Sequence, residues 1–535
     1  MTLQFNRSLR LAALSFLLAG PAHAISYEVW VSDQTNSQGI SRENPNGTHG
    51  GFLRVFDGED LDSDDKPRHR ALDTAWLWPT ALANTGSHVV RIHGMTPSPN
   101  HNYLAVSFVA SGHLGLVDAR KRRAVALFRT TATKNGDLDG AGNAIDGSIK
   151  SGQQNHLTLW SPDGKYLLIS NQNGKLLERV NLSWDKEGNI TKAVFDAAAS
   201  LDLVGGNGRI VTQPVSDRSF RIGSVSGTVA DGQSPLTPAG EHKQNAQTRP
   251  NNAAVCSGIA GDNHTALITL AGGGLFVVDY TSTPMQIVAE YDKNTISAAG
   301  CGATEAGGFT WLNAGVFKAN VASFALYRLP TEWPSAPEFN SPNSPAPEVV
   351  YQDQDHAQTI PPSNVIQGNN RDAHGFGFTL NRTYLHQFDR VKNNVEVFHV
   401  GTGERNTYYL TTIDGQEPNG QNESNACTTT PGASYDPTDP SKRNPSGIAV
   451  NNDPSPDLFD LSPHGNRFYV ALRGPNPLSI THAAAGSCPG LGIVELDATG
   501  GGKHGVLTRV IPLEWFDYSG ATNISDPHAA VVRIK

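Results

Sequence analysis

Residues 156–170 read HLTLWSPDGKYLLIS: an apolar run, a Ser-Pro-Asp-Gly turn and a second apolar run. Two short strands joined by a tight reversal are the natural reading. The layout recurs. His93 opens HGMTPSPNHNYLAVSF, His374 opens HGFGFTLNRTYLHQF and Asp457 opens DLFDLSPHGNRFYVAL. In three of these four segments, Ser-Pro falls five and six residues after the first residue. A third strand follows, as in HLGLVD from His113 and VEVFHV from Val395, and then a more variable fourth, such as RAVALFR from Arg123. Two copies begin irregularly, at Ala254 (AVCSGIAGDNHTALITLAGGGLFVVDY) and at Cys301 (CGATEAGGFTWLNAG, then FALYRL).

The last copy is split across the termini. The chain ends DPHAAVVRIK, one strand opened by His528, while ISYEVWVSD and GGFLRVFD near the start supply a second and a third strand. Joining the two ends completes a unit and removes the edges that an open sheet would expose. The expectation is therefore an all-β, seven-bladed β-propeller closed by pairing of the C-terminal strand with the N-terminal strands. Composition agrees: 54 Gly and 33 Pro among 535 residues are too many for a helical bundle. A net charge of −9 leaves no basic footprint for nucleic acid.

Residues 1–24 read as an export signal, with Arg7 and Arg10 before the apolar Leu11–Leu18 and Ala22-His23-Ala24 as a small-x-small cleavage site. Cleavage after Ala24 leaves 25–535 as a single propeller, periplasmic or secreted, with no membrane span. Long polar insertions interrupt it at about 205–250, 334–370 and 415–456, each between one blade's outer strand and the next blade's start. They belong on one face, where lids and binding surfaces concentrate.

The first residues of the blades share one register around the central channel. They read His528, His93, His156, two irregular blades, then His374 and Asp457. Four imidazoles and a carboxylate thus fill one arc. Clustered neutral imidazoles with a carboxylate supply lone pairs to a transition metal; without an ion, protonating one ring opposes charge on the next. His93, His156, His374, His528 and Asp457 are the expected metal ligands. Copper is the expected ion and zinc the alternative, since three Met in the whole chain are too few for a thioether site. Five ligands exceed what one structural zinc needs, so the site is open to substrate or holds more than one ion.

Glu305, on the first strand of the fifth blade, is a candidate general acid or base facing the gap in the arc. Cys256 and Cys301 start adjacent blades and pair as a disulfide, with thiolate ligation as the rival reading; Cys427 and Cys488 form the second pair. Asp137 to Asp146 (DLDGAGNAID) fails the calcium-loop spacing after two positions and reads as a solvated turn.

On the SPDGKYLLIS unit, the repeated layout and the terminal DPH strand, the chain resembles secreted bacterial YncE-like (YVTN-type) seven-bladed propellers. The ring of histidines is also similar to that of copper propellers such as thiocyanate dehydrogenase and nitrous oxide reductase, and to periplasmic zinc-chaperone propellers. The paired His-His of nitrous oxide reductase is missing here. These resemblances imply a copper oxidoreductase acting on a small molecule, or a metal carrier working with a delivery partner. A protein-binding scaffold that uses the insertion-bearing face is the third reading.

Overall fold

The computed structural model describes residues 25–35, 50–63, 67–133, 153–204, 251–296, 300–314, 324–331, 345–352, 372–390, 393–412, 414–416, 454–475, 488–516 and 523–535, with a few isolated residues and short strands between them. The export signal, most of the three insertions and the acidic loop at 137–146 lie outside the described residues. Among the described residues the chain is nearly all β, and its α-helices run no longer than six residues.

Four-stranded antiparallel sheets follow one another along the chain. The first comprises Ile92–Pro97, Tyr103–Phe108, His113–Asp118 and Arg123–Arg129. Equivalent sheets start at Ala254–Ile259, Ala303–Ala306 and Ala373–Phe378. The sheet that starts at Asn155–Trp160 is extended by short strands such as Val225–Gly227. An eight-stranded sheet runs from His69–Asp73 through Phe52–Asp57 and Tyr27–Asp33 to Pro527–Ile534. It then continues across one parallel bridge, Leu458 to Ala529, into the four strands that begin at Pro456–Leu461. The C-terminal strand pairs with the N-terminal one from Tyr27↔Ile534 to Asp33↔Pro527, as the split repeat requires.

The turns explain the recurring motif. Ser98, Ser161, Thr379 and Ser462 each donate a hydroxyl proton to an Asn or Asp side chain of the same turn. In three of the turns the hydroxyl also accepts the amide of the returning strand, at Tyr103, Tyr166 and Tyr384. The residue three places on is left-handed in every case: His101 (φ 56°), Gly164 (71°), Arg382 (54°) and Gly465 (72°). Glycine adopts that conformation without strain, as at 164 and 465.

Period-two alternation then sends side chains into two different cores. Leu104, Val106 and Phe108 pack with Trp30 and Val55, whereas Tyr103 and Ala105 pack with Leu167 and Ile169 on the opposite face. Leu168 turns to Ala266 and Ile268. Further cores join Leu267 and Val277 to Leu312, Trp311 to Leu385 and Phe398, Val395 to Phe468, and Val29 to Tyr469 and Leu491. Each such side chain, fully buried, contributes about 1.5–3 kcal/mol.

His386 lies inside one of these layers against Phe468, its Nε2 2.9 Å from the Gly502 carbonyl. Burial lowers its pKa to about 3, against a smaller opposing effect of that hydrogen bond. A depressed histidine stabilises fully above the unfolded value near 6.5, and the contribution is lost as pH falls toward the folded value. Replacing His386 with Gln is expected to flatten the stability profile between pH 6.5 and 3 by about 1.4 kcal/mol per pH unit. Urea unfolding at several pH values checks this, and parallel profiles for the two proteins would contradict it.

Candidate metal centre

Six of the first strands carry an irregularity at the residue singled out by sequence; Ala303–Ala306 pairs regularly. Pairing skips His93 between Ile92 and Met95, His156 between Asn155 and Leu157, and Cys256 between Ala254 and Ser257. It skips His374 between Ala373 and Phe376, Asp457 between Pro456 and Phe459, and His528 between Pro527 and Ala529. A β-bulge takes a residue out of the pleat and re-aims its side chain. Small neighbours let the strands come close: a Cβ on Gly375 would lie 2.4 Å from the Asp457 carbonyl oxygen, and one on Gly302 2.5 Å from Phe376.

All five expected ligands are buried, and they form a continuous series of contacts. His374 Nε2 lies 3.0 Å from Asp457 Oδ1, and His528 Nε2 lies 3.8 Å from Asp457 Oδ2. One ligand atom from each of these three residues lies within 4.8 Å of the others. The His528 ring stacks on His93 with centroids 3.5 Å apart, and His93 Nε2 faces His156 Nε2 at 3.3 Å. Two imidazoles on one tetrahedral ion, with metal–nitrogen distances of about 2.0–2.1 Å, hold their nitrogens at about that separation. Burial lowers the His156 pKa to about 3, helped by the charge of Arg390, so its ring is neutral at physiological pH.

Behind Asp457 lies a network that the sequence reading missed. Arg390 and Arg473 both donate to Asp457 Oδ2, at 3.2 and 2.8 Å. Arg390 also grips Asp372, and Arg473 makes two bonds to Asp526. All five side chains are buried. Three carboxylates against two guanidiniums leave one excess negative charge beside the imidazoles. Burial raises the Asp457 pKa, opposed by Arg390 and Arg473, and raises that of Asp372 to about 7. For Arg473, burial alone would lower the pKa; Asp526 and Asp457 outweigh it and raise it. A nearby cation or a proton on the network offsets the excess charge.

Gln34, also missed, reaches His93: its Nε2 lies 2.5 Å from Nδ1, and its buried Oε1 has no hydrogen-bond partner among the described residues. That contact fixes the ring's orientation and leaves Nε2 facing His156. Metal-ligating histidines typically have this outer support.

Cys256 and Cys301 form a disulfide, and Cys427 and Cys488 form the other. Disulfides persist in oxidising compartments. No described helix is long and apolar enough to cross a membrane. The first disulfide occupies the stretch of the ring between His156 and His374, with Cys256 Sγ 3.7 Å from His156 Nδ1. Beside it is a cavity of about 430 Å³ lined by Leu157, Cys301, Phe376, Phe378 and Leu461 among others. Glu305 is not brought into the cluster. It is half-buried, its carboxylate near Gly261 and its backbone carbonyl bonded by Arg382.

No protein-family model matches the chain, and no curated protein sequence does. Among solved structures it is similar to a hypothetical selenium-binding protein from Sulfolobus tokodaii (10% identity, 95% of this chain and 94% of the other, TM-score 0.48). It is similar to the periplasmic gluconolactonase of Pseudomonas aeruginosa (13%, 95% and 100%, TM-score 0.42). A third is the Cps50 (Swd1) β-propeller domain of Myceliophteria thermophila (11%, 71% and 93%, TM-score 0.32). Likenesses this distant assign no activity.

Proposed function

We propose that the chain is an exported, closed, seven-bladed β-propeller of the YncE-like type whose central ring binds a transition metal, copper, for oxidoreduction of a small molecule. Sheets that pack in order, a C-terminal strand completing the N-terminal sheet, and the apolar leader before Ile25 support the architecture and a periplasmic or secreted location.

One observation carries the metal reading. His374, Asp457 and His528 converge within 4.8 Å, with His93 and His156 adjoining, at positions that bulges aim out of their strands. In this reading His374, His528 and Asp457 hold the ion. His93 and His156 complete the donor set or hold a second ion. Arg390 and Arg473 fix the carboxylate so that Oδ1 faces His374. A bound copper ion would supply one-electron chemistry that the side chains lack. The cavity beside Cys301, lined by both apolar and polar side chains, would admit a small molecule. A zinc ion in the same donors would fit a carrier instead, and the mature protein's metal content separates the two.

Purified mature protein is expected to retain copper at one or more ions per chain, with a Cu(II) EPR signal showing nitrogen coupling. His93→Ala and His528→Ala are each expected to lower the content at least tenfold under chelator challenge. Unchanged content in both variants would remove the metal reading, and zinc without an EPR signal would favour carriage.

A further inference from the structure

We infer that the Cys256–Cys301 disulfide is the oxidised form of a second, sulfur-rich metal site, completed by His156 and opened only by reduction. It shares His156 with the proposed histidine–aspartate centre, through the other ring nitrogen, and takes its two sulfurs from cysteines that centre does not use.

The geometry assembles the donors before any ion arrives. One ligand atom each from His156, Cys256 and Cys301 lies within 4.8 Å of the others. His156 Nδ1 points to Cys256 Sγ at 3.7 Å, while Nε2, on the far side of the ring, faces His93. The two nitrogens therefore face different side chains, and the ring also bonds the Val255 backbone, a bond that metal binding at that nitrogen would replace. Cys256 is held in place by its own backbone: its amide bonds Thr269 Oγ1, and the same hydroxyl donates to its carbonyl. The partner sulfur comes from the adjacent sheet, where Gly258 and Ala303 pack closely enough that a Cβ on Gly258 would overlap Ala303. Sheet packing, rather than the S–S bond alone, keeps the two sulfurs near each other.

The chemistry balances with an external dithiol as reductant. Its two thiols give up two electrons and become a disulfide, the Cys256–Cys301 bond breaks, and both sulfurs take protons. A divalent zinc-like ion then displaces those two protons and takes both thiolates, with His156 Nδ1 as third ligand. Two thiolates and one imidazole suit a soft or borderline ion, and three protein ligands leave a fourth position for an exogenous molecule. Cys301 lines the 430 Å³ cavity, so that position is reached from there. The walls combine Leu157, Phe376 and Leu461 with the polar Thr304, Thr379 and Arg382, which suits a ligand with an apolar body and a polar group.

The test uses Co²⁺ as the probe on the mature protein, anaerobically, before and after reduction with a phosphine. Reduced protein is expected to bind one additional equivalent with thiolate-to-cobalt charge-transfer absorption in the near ultraviolet, and to lose the band on reoxidation. The band should disappear in Cys301→Ser and persist in the Cys427→Ser/Cys488→Ser double variant. His156→Ala should weaken Co²⁺ binding at least tenfold, a readout that holds even if the cysteine variant misfolds. Persistence in His374→Ala separates this site from the histidine–aspartate centre. No charge-transfer band in reduced protein, or a band that survives Cys301→Ser, would overturn the inference.

Discussion

A chain ended at Asp526 is expected not to fold. The nine residues removed include the Pro527–Ile534 strand, which pairs with the full length of Tyr27–Asp33 on the side away from Phe52–Asp57 and links it to the sheet that begins at Pro456–Leu461. Ala530 and Val532 leave the core around Tyr469 and Leu491, and Val531 leaves the core around Trp30 and Leu104. Arg533 leaves Glu28, which it bonds at 3.0 Å. Seven lost ladder pairings at about 0.5–1.5 kcal/mol per bond, with two buried valines at about 1.5–3 each, total on the order of 10 kcal/mol. That equals the whole stability of an ordinary domain. Size-exclusion chromatography and thermal melting decide the matter: a soluble, cooperatively melting truncated chain would contradict the role given to this strand.

Arg473→Met is expected to destabilise the protein by about 3–5 kcal/mol, the usual result of removing one partner from a buried charge network. Asp526 loses two charge-assisted bonds and Asp457 its shorter one. Methionine fills much of the volume, so the loss is electrostatic rather than a cavity. The effect has a direction in pH. Arg473 holds the Asp457 pKa down against burial; without the guanidinium that pKa should rise further, so the variant loses least at low pH and most above neutrality. Chemical denaturation at pH 5 and pH 8 measures it. A loss under about 1 kcal/mol at both values would mean that Arg473 does not hold the Asp457 carboxylate.

Strand content and order were legible because the signals were local. Ser-Pro-Asp-Gly at 161–164 and its relatives code a specific turn, and the flanking runs RAVALFR, HLGLVD and ISYEVWVSD coincide with observed strands. The convergence of His93, His156, His374, His528 and Asp457 was legible for a related reason, since equal register in repeated units places residues at equal depth. What decides the electrostatics was not read. Arg390 and Arg473 both stand just beyond their second strands, after Phe388-Asp389 and Ala471-Leu472, and that shared position was a usable signal. Gln34 carried none, because it lies in a turn whose neighbours come from elsewhere in the chain. Glu305 stands outside both donor groups, and its place on a first strand did not by itself say which neighbours its side chain would meet. The bulges were unreadable for a deeper reason: they arise from pairing with the second strand, and no composition marks them.

Those bulges free the site positions from a rule that binds regularly paired strand residues. Elsewhere, exchanging a polar for an apolar residue works only if the face it points to agrees, because alternate side chains belong to opposite layers. At 93, 156, 256, 374, 457 and 528 that coupling is broken. A donor group can change there without reversing which layer its neighbours face, but not without its partners: a new group at 457 must still answer Arg390 and Arg473, and one at 93 must still meet His528 and His156. New reactivity is therefore written in the contacts among these side chains, with the sheets behind them left as they are.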